Sequence, residues 1–360
     1  MNRFRRLADL TVLATFALIV LGGIVRVSES GLGCGPGGSG TEGWPLCGGE
    51  AVPFFHNTEV IIEFSHRVLA AVVTALIALL AWTAYKRLDQ RPPQTPRPNL
   101  RWPLRAAVAA AVLVLVQAAL GGLTVEKNLD EELVAAHLGL AMLLLGLVLW
   151  IAVRARVELA AAGEPPRGGA RPRADAQPAS PAPPAVRGLK PLAAVTAVLL
   201  LSAIVAGGYV AGTEKEGVNG SGTNIAGAHV ACGEQFPGCA NQGVLPFGEG
   251  RLVDIQLTHR ALVYSATIAL LALIGLALAR GSRSRLLAIA AALLLLQFTL
   301  GVLNVLLGEH AVLIVAHLVT GTLLWGTVVL IAIRLAWLPQ PAGAVAARAG
   351  SRAQPTAAAA

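Results

Sequence analysis

The sequence predicts an all-α integral membrane protein, with eight transmembrane helices arranged as two tandem four-helix bundles related by a pseudo-two-fold axis along the membrane normal. Three observations lead there. The 360-residue chain is 55% hydrophobic and only 13% charged, which excludes an ordinary water-soluble domain. Its apolar residues fall into eight runs, each long enough to cross roughly 30 Å of hydrocarbon. Finally, the second half repeats text of the first. Helices follow from the second observation, because lipid offers a backbone N–H or C=O no partner outside its own segment.

The runs lie near 8–26, 59–85, 103–125, 132–153, 191–211, 252–279, 286–307 and 311–337. The first follows the basic stretch "NRFRR" and so invites comparison with a cleaved secretory signal. Its apolar part is too long for one, no small-residue cleavage pair follows it cleanly, and its text "IVLGGIVRVSESG" is answered by "AIVAGGYVAGTEKEG" in the fifth run. The second carries "EFSHR", answered by "QLTHR" in the sixth. The third and seventh share "LVQAALGGLTV" and "LLQFTLGVLNV", and the fourth and eighth share "AAHLGLAMLLLG" and "VAHLVTGTLLWG". A unit of four helices has thus been duplicated, and because four is even both copies enter the membrane the same way round. The domains read as a bundle over 1–155, a linker over 156–190, a second bundle over 191–338 and a tail over 339–360. Linker and tail are rich in Pro, Ala, Gly and Arg, with almost nothing to bury, and are expected to be disordered.

Orientation follows from the basic residues. The N-terminal tail, the segment Lys86 to Arg105, the segment Arg154 to Lys190, the "RGSRSR" turn and the C-terminal end together hold 22 of the 28 Lys and Arg. Basic residues stay on the cytoplasmic side, so both termini are expected there. Most acidic residues fall on the opposite face, so the net charge of +8 sums two unlike surfaces. It points to a lipid bilayer and not to nucleic acid.

Of seven histidines, four occupy equivalent places: His66 and His259 in the second helix of each half, His137 and His317 in the fourth. All four helices start outside, so the imidazoles lie level, one to two turns in from the outer surface. Two imidazoles facing each other across a bundle can ligate both axial positions of a heme iron. The small residues Ala135, Ala136 and Gly139, and Ala316 and Gly321 in the second half, are read as room for a flat macrocycle, as are Gly121, Gly122 and Gly301. A single membrane histidine is often a packing residue bonded to a carbonyl, but two pairs in register favour a pair of heme sites, since ionisable groups in lipid are costly. A zinc site is disfavoured, because no further ligand repeats alongside. His56, His229 and His310 lie in loops.

The second helices differ in one charge. Glu63, three residues before His66, shares its face, whereas Gln256 stands in that place before His259. Glu63 could pair with Arg67 at i, i+4. Arg260 persists without the acid, so the two arginines are expected to share another task, holding heme propionates at the outer surface. All four cysteines fall on the outer face, Cys34 with Cys47 and Cys232 with Cys239, each pair within one loop. An oxidising compartment makes both pairs disulfides, staples over the two pockets. Thiol exchange at Cys34 and Cys47 is the alternative role.

The stretches "GGIVRVSESGLGC", "WPLC" and "EFSHR", with the repeated "AHL" and "THR" helices, resemble the heme A synthase family over about residues 8–337. That resemblance implies an oxidoreductase that converts a ring methyl of heme O to the formyl group of heme A by successive hydroxylations. By position, Glu63 resembles the catalytic acid, His66 and His137 the ligands of the substrate heme, and His259 and His317 the ligands of a bound heme b. It implies a bacterial cell membrane location, with heme O synthase and the terminal oxidase assembly pathway as partners and a homo-oligomer as a possible assembly. The loop departs from the family text "GLGCPDWPLC": here "GPGGSGTEG" stands before "WPLC". Two other classes stand beside this one. A di-heme b-type membrane electron-transfer protein would share the four histidines without converting a substrate. A transporter would share the parallel repeat, but broken helices and a midplane polar site are missing.

Overall fold

The structure is a computed structural model that describes residues 2–55, 57–89, 101–161, 188–213, 227–239, 241–307 and 310–337. The predicted tail and most of the predicted linker lie outside them. The described helices are α1 (Asn2–Val27), α2 (Thr58–Asp89), α3 (Trp102–Glu126), α4 (Glu131–Ala161), α5 (Lys190–Gly212), α6 (Arg251–Ala279), α7 (Arg285–Leu306) and α8 (Ala311–Trp337), with single 3₁₀ turns at Ser30–Leu32, Gly40–Glu42 and Ala228–Val230. All eight are long and apolar enough to cross a membrane, and no β-strand is found among the described residues. The chain is an all-helical, multi-pass membrane protein.

Every predicted run is a helix, and several helices outrun the prediction. α1 starts at Asn2 and α4 continues to Ala161, because arginine marks where lipid ends and not where helical hydrogen bonding ends. The second case corrects the predicted linker start at 156. Arg154 covers the Trp102 and Trp150 rings, 4.5 and 5.3 Å from their centroids, and Arg156 reaches Asp9 of α1 at 2.8 Å, so this stretch packs as helix. The linker's far end is likewise helical from Lys190, with a proline in the first turn of α5, where its missing N–H costs nothing.

Buried hydroxyls are satisfied locally. Thr11 donates to the Leu7 carbonyl and Thr15 to that of Thr11, each at 2.8 Å, and Thr196 and Thr322 do the same one turn back along their own helices. No water is at hand in lipid, so the preceding turn supplies the acceptor.

In the first half α1 packs on α2 and α4, and α3 closes the ring against both; in the second half α5 packs on α6 and α8, and α7 closes that ring. The halves meet through α1, α4, α5 and α8. Glycine makes the meeting close. A Cβ added at Gly23 would stand 2.3 Å from Leu318 Cδ2, and one at Gly208 would stand 3.0 Å from Leu138 Cδ2. Trp325 of α8 lies against Gly146 of α4 and donates its indole N–H to the Ala197 carbonyl of α5 at 3.1 Å. Polar ties close the ends of the helices on the other side: Arg26 donates to the Ala211 carbonyl at 2.6 Å, and Arg251 pairs with the buried Glu131.

Gly212, the last residue of α5, meets backbone and not a pliable side chain: its Cβ would stand 2.7 Å from Glu131 Cα. Gly212→Ala is therefore expected to force the halves apart at this end and to cost about 1–3 kcal/mol, read as a lowered thermal unfolding midpoint of the detergent-solubilised protein.

Candidate functional site

The four histidines come from α2, α4, α6 and α8, the helices that begin on one side of the membrane. His66 and His259 stand nine residues into theirs, counting from Thr58 and Arg251, and His137 and His317 seven, counting from Glu131 and Ala311. At 1.5 Å per residue they lie about 9–12 Å from those helix starts. They fall two to a half, His66 with His137 in the first and His259 with His317 in the second.

Each imidazole rests on a glycine of the helix before its own. A Cβ added at Gly22, Gly121, Gly207 or Gly301 would stand 3.1, 3.0, 3.0 and 3.1 Å from Cε1 of His66, His137, His259 and His317 respectively. Four pairs therefore share one geometry, ring edge against bare backbone. This corrects the expectation that Gly121, Gly122 and Gly301 make room for a macrocycle. Gly121 and Gly301 make room for the ligand itself, and Gly122 for the Trp44 indole, which would stand 2.6 Å from an added Cβ. Gly139 likewise admits Val205, and Gly321 lies against the Gln297 amide. Sequence reading missed Gly22 and Gly207 altogether, although both stand in the aligned text of the first and fifth runs.

The ring nitrogens can be read from their partners. His259 Nδ1 faces the Ala203 carbonyl at 2.9 Å; a carbonyl only accepts, so Nδ1 carries the proton and Nε2 the lone pair. At His317 the Gln297 amide nitrogen lies 3.0 Å from Nε2, which marks that nitrogen as the acceptor. Nδ1 of His66, His137 and His317 is buried without a hydrogen-bond partner. Two imidazoles in each half are a donor set suited to axial ligation of a heme iron. Among the described residues no group of three or more His, Cys, Asp and Glu gathers as a metal cage.

Above each pair lies a loop closed by a disulfide, Cys34–Cys47 and Cys232–Cys239, as expected. All four cysteines are buried. The arginine after each α2 or α6 histidine holds its loop down: Arg67 donates to the carbonyls of Gly43 and Leu46, both at 2.7 Å, and Arg260 to that of Gly238 at 2.8 Å. Arg67 also pairs with Glu63. Glu63 is buried and accepts from the Cys34 N–H at 2.7 Å, so both of its oxygens are engaged. The i, i+4 pair that the sequence allowed is present, alongside loop contacts that it did not disclose. In the second half Gln256, Arg260 and Tyr264 follow one another at i, i+4 and i+8, and Gln256 Oε1, Arg260 Nη2 and Tyr264 Oη are each buried with no hydrogen-bond partner. Gln256 and Arg260 were singled out from the sequence; Tyr264 was not.

The profile of the COX15-CtaA family, described as cytochrome oxidase assembly protein, matches residues 5–329. Among curated proteins the chain is similar to the heme A synthases of Alkalihalophilus pseudofirmus (29% identical over 154 residues, 43% of this chain and 47% of that protein), Shouchella clausii (31% over 139 residues, 39% and 41%) and Bacillus pumilus (31% over 159 residues, 42% and 47%). Each alignment spans less than half of the relative's length.

Removing Arg67 would strand a buried carboxylate and two loop carbonyls together. Arg67→Ala is expected to destabilise the protein by about 3–5 kcal/mol and to open the 34–47 loop to protease, measured by thermal unfolding and limited proteolysis in detergent.

Proposed function

This chain belongs to the COX15-CtaA family of cytochrome oxidase assembly proteins, and on that premise we propose that it is a heme A synthase, an oxidoreductase that takes a ring methyl of heme O to the formyl group of heme A. The observation that carries the reading is the fourfold seat of imidazole on glycine, two in each half. The names of its relatives point the same way. They do not favour the alternative of two permanent hemes passing electrons. Two tandem bundles, 1–161 and 190–337, related by an axis along the membrane normal, account for the matching contacts of α1 with α8 and of α5 with α4.

In this proposal His66 and His137 bind the substrate heme, and His259 and His317 hold heme b. Bound heme supplies the redox chemistry; the chain supplies position, charge and exclusion of water. His259 is fixed in rotation by its bond to Ala203 and by Gly207 behind it. Glu63, on the face of α2 that carries His66, would hold or pass a proton during that oxidation. Its ties to Cys34 and Arg67 keep it at the outer end of the bundle. The disulfide loops act as lids over each site, Trp44 reaching from its loop to α3. The basic loops support a topology with both termini in the cytoplasm and the heme sites near the outer face, with heme O synthase as the source of substrate and terminal oxidase assembly as the consumer.

Two measurements test this together. Protein made in cells that supply heme O is expected to yield heme b with heme O or heme A on extraction and chromatography; heme b alone, at two per chain, would refute the synthase. Glu63→Ala is expected to lower conversion of heme O by about 10²-fold or more, with the heme b absorbance retained. Replacing both His259 and His317 by alanine should remove that absorbance.

A further inference from the structure

The two equivalent arginines are satisfied differently, and the difference concerns a carboxylate. Arg67 is filled: its guanidinium reaches Gly43 O, Leu46 O and the Glu63 carboxylate. Arg260, only 5% exposed, makes one hydrogen bond, to Gly238 O, lies 5.9 Å from the Phe236 ring centroid, and keeps Nη2 buried and unpartnered; Gln256 Oε1 and Tyr264 Oη, four residues to either side on the same helix, are also unpartnered. A buried guanidinium N–H without an acceptor is costly, and the acceptor that suits it best is a carboxylate.

We propose that Glu63 is an internal substitute for a porphyrin carboxylate. In the C-terminal bundle the propionate of the bound heme completes Arg260. In the N-terminal bundle Glu63 has already taken that place on Arg67, so the porphyrin there is held by its two imidazoles without a propionate clamp, and leaves readily. The exchangeability of one site and the permanence of the other then come from one side-chain difference, Glu63 against Gln256, at equivalent positions of a duplicated helix. This rests on the assignment of substrate and resident heme to the two bundles made above, and it adds what sets their lifetimes. It is separate from the proton-transfer role proposed for Glu63, since it concerns the partner of Arg67 and not the reacting methyl.

The test is heme release from the full-length, heme-loaded protein in detergent to an excess of apomyoglobin, followed by absorbance. The wild type is expected to lose heme in two phases, assigned with His66→Ala and His259→Ala, each of which removes one. Glu63→Gln, which copies the second half into the first, is expected to slow the fast phase about tenfold by freeing Arg67 for a propionate. Gln256→Glu, the reverse exchange, is expected to speed the slow phase by a similar factor. An unaltered fast phase in Glu63→Gln, or an unaltered slow phase in Gln256→Glu, overturns the proposal while leaving the synthase reading in place. Should Glu63→Gln fail to fold, Gln256→Glu decides alone. A wild-type chain that takes up no heme at all removes the synthase reading itself.

Discussion

The close approach of an imidazole to a glycine, made four times, is the contact on which the rest of the protein depends. An added methyl would stand 3.0–3.1 Å from the ring in every case, tighter than ordinary van der Waals contact, and a packed interior has no slack to absorb the shift. The ring must face the bundle interior to be a ligand, so its other edge has to lie against the preceding helix, and only bare backbone leaves that space. In α1 and α5 the next residue is also glycine, and it serves a second contact: Gly23 and Gly208 admit Leu318 and Leu138 from the opposite half. One dipeptide therefore sets both the histidine's position and the distance between halves. Imidazole placement and inter-half packing cannot be tuned separately.

The two membrane faces are organised by different physics. At one end Arg154 on Trp102 and Trp150, with Arg156 on Asp9, extends the helices past the apolar core. These are exposed or half-exposed contacts that each contribute little. At the other end the partly buried Arg67 and the buried Arg260 reach from the helices into covalently closed loops. A loop pinned by a disulfide and by Arg67 is a rigid roof, which suits a site that must exclude water while keeping two ligand nitrogens in line.

Hydropathy and internal repetition made the eight spans and the four histidines legible, because crossing lipid and duplicating a unit both leave marks along the chain. Helix ends were not legible: hydropathy stops at Arg154, whereas the backbone continues to Ala161. Nor were the partners of the arginines. The sequence offers Glu63 to Arg67 at i, i+4, but Gly43 and Leu46 lie in a loop whose path depends on the disulfide. The glycines were visible but misassigned, since a pattern of small residues says that something approaches closely and not what approaches. Only the helix pairing decides between a macrocycle and an imidazole, and it chose the imidazole at Gly22, Gly121, Gly207 and Gly301.

A duplicated scaffold separates the residues that geometry dictates from those that chemistry can change. Histidine, the glycine behind it and the following arginine stand at matching places in both halves, as expected if ligation and loop closure impose the same limits twice. The differences fall around that frame. Gly122 takes the Trp44 indole where Val302 stands in the second half, and there Phe236 packs on Phe298 instead. Glu63 answers Arg67 where Gln256 leaves Arg260 open. Both differences concern the roof and the outer rim of the pocket, and neither touches the ligand seat. The two halves thus share the seat of imidazole on glycine and differ in the groups around it.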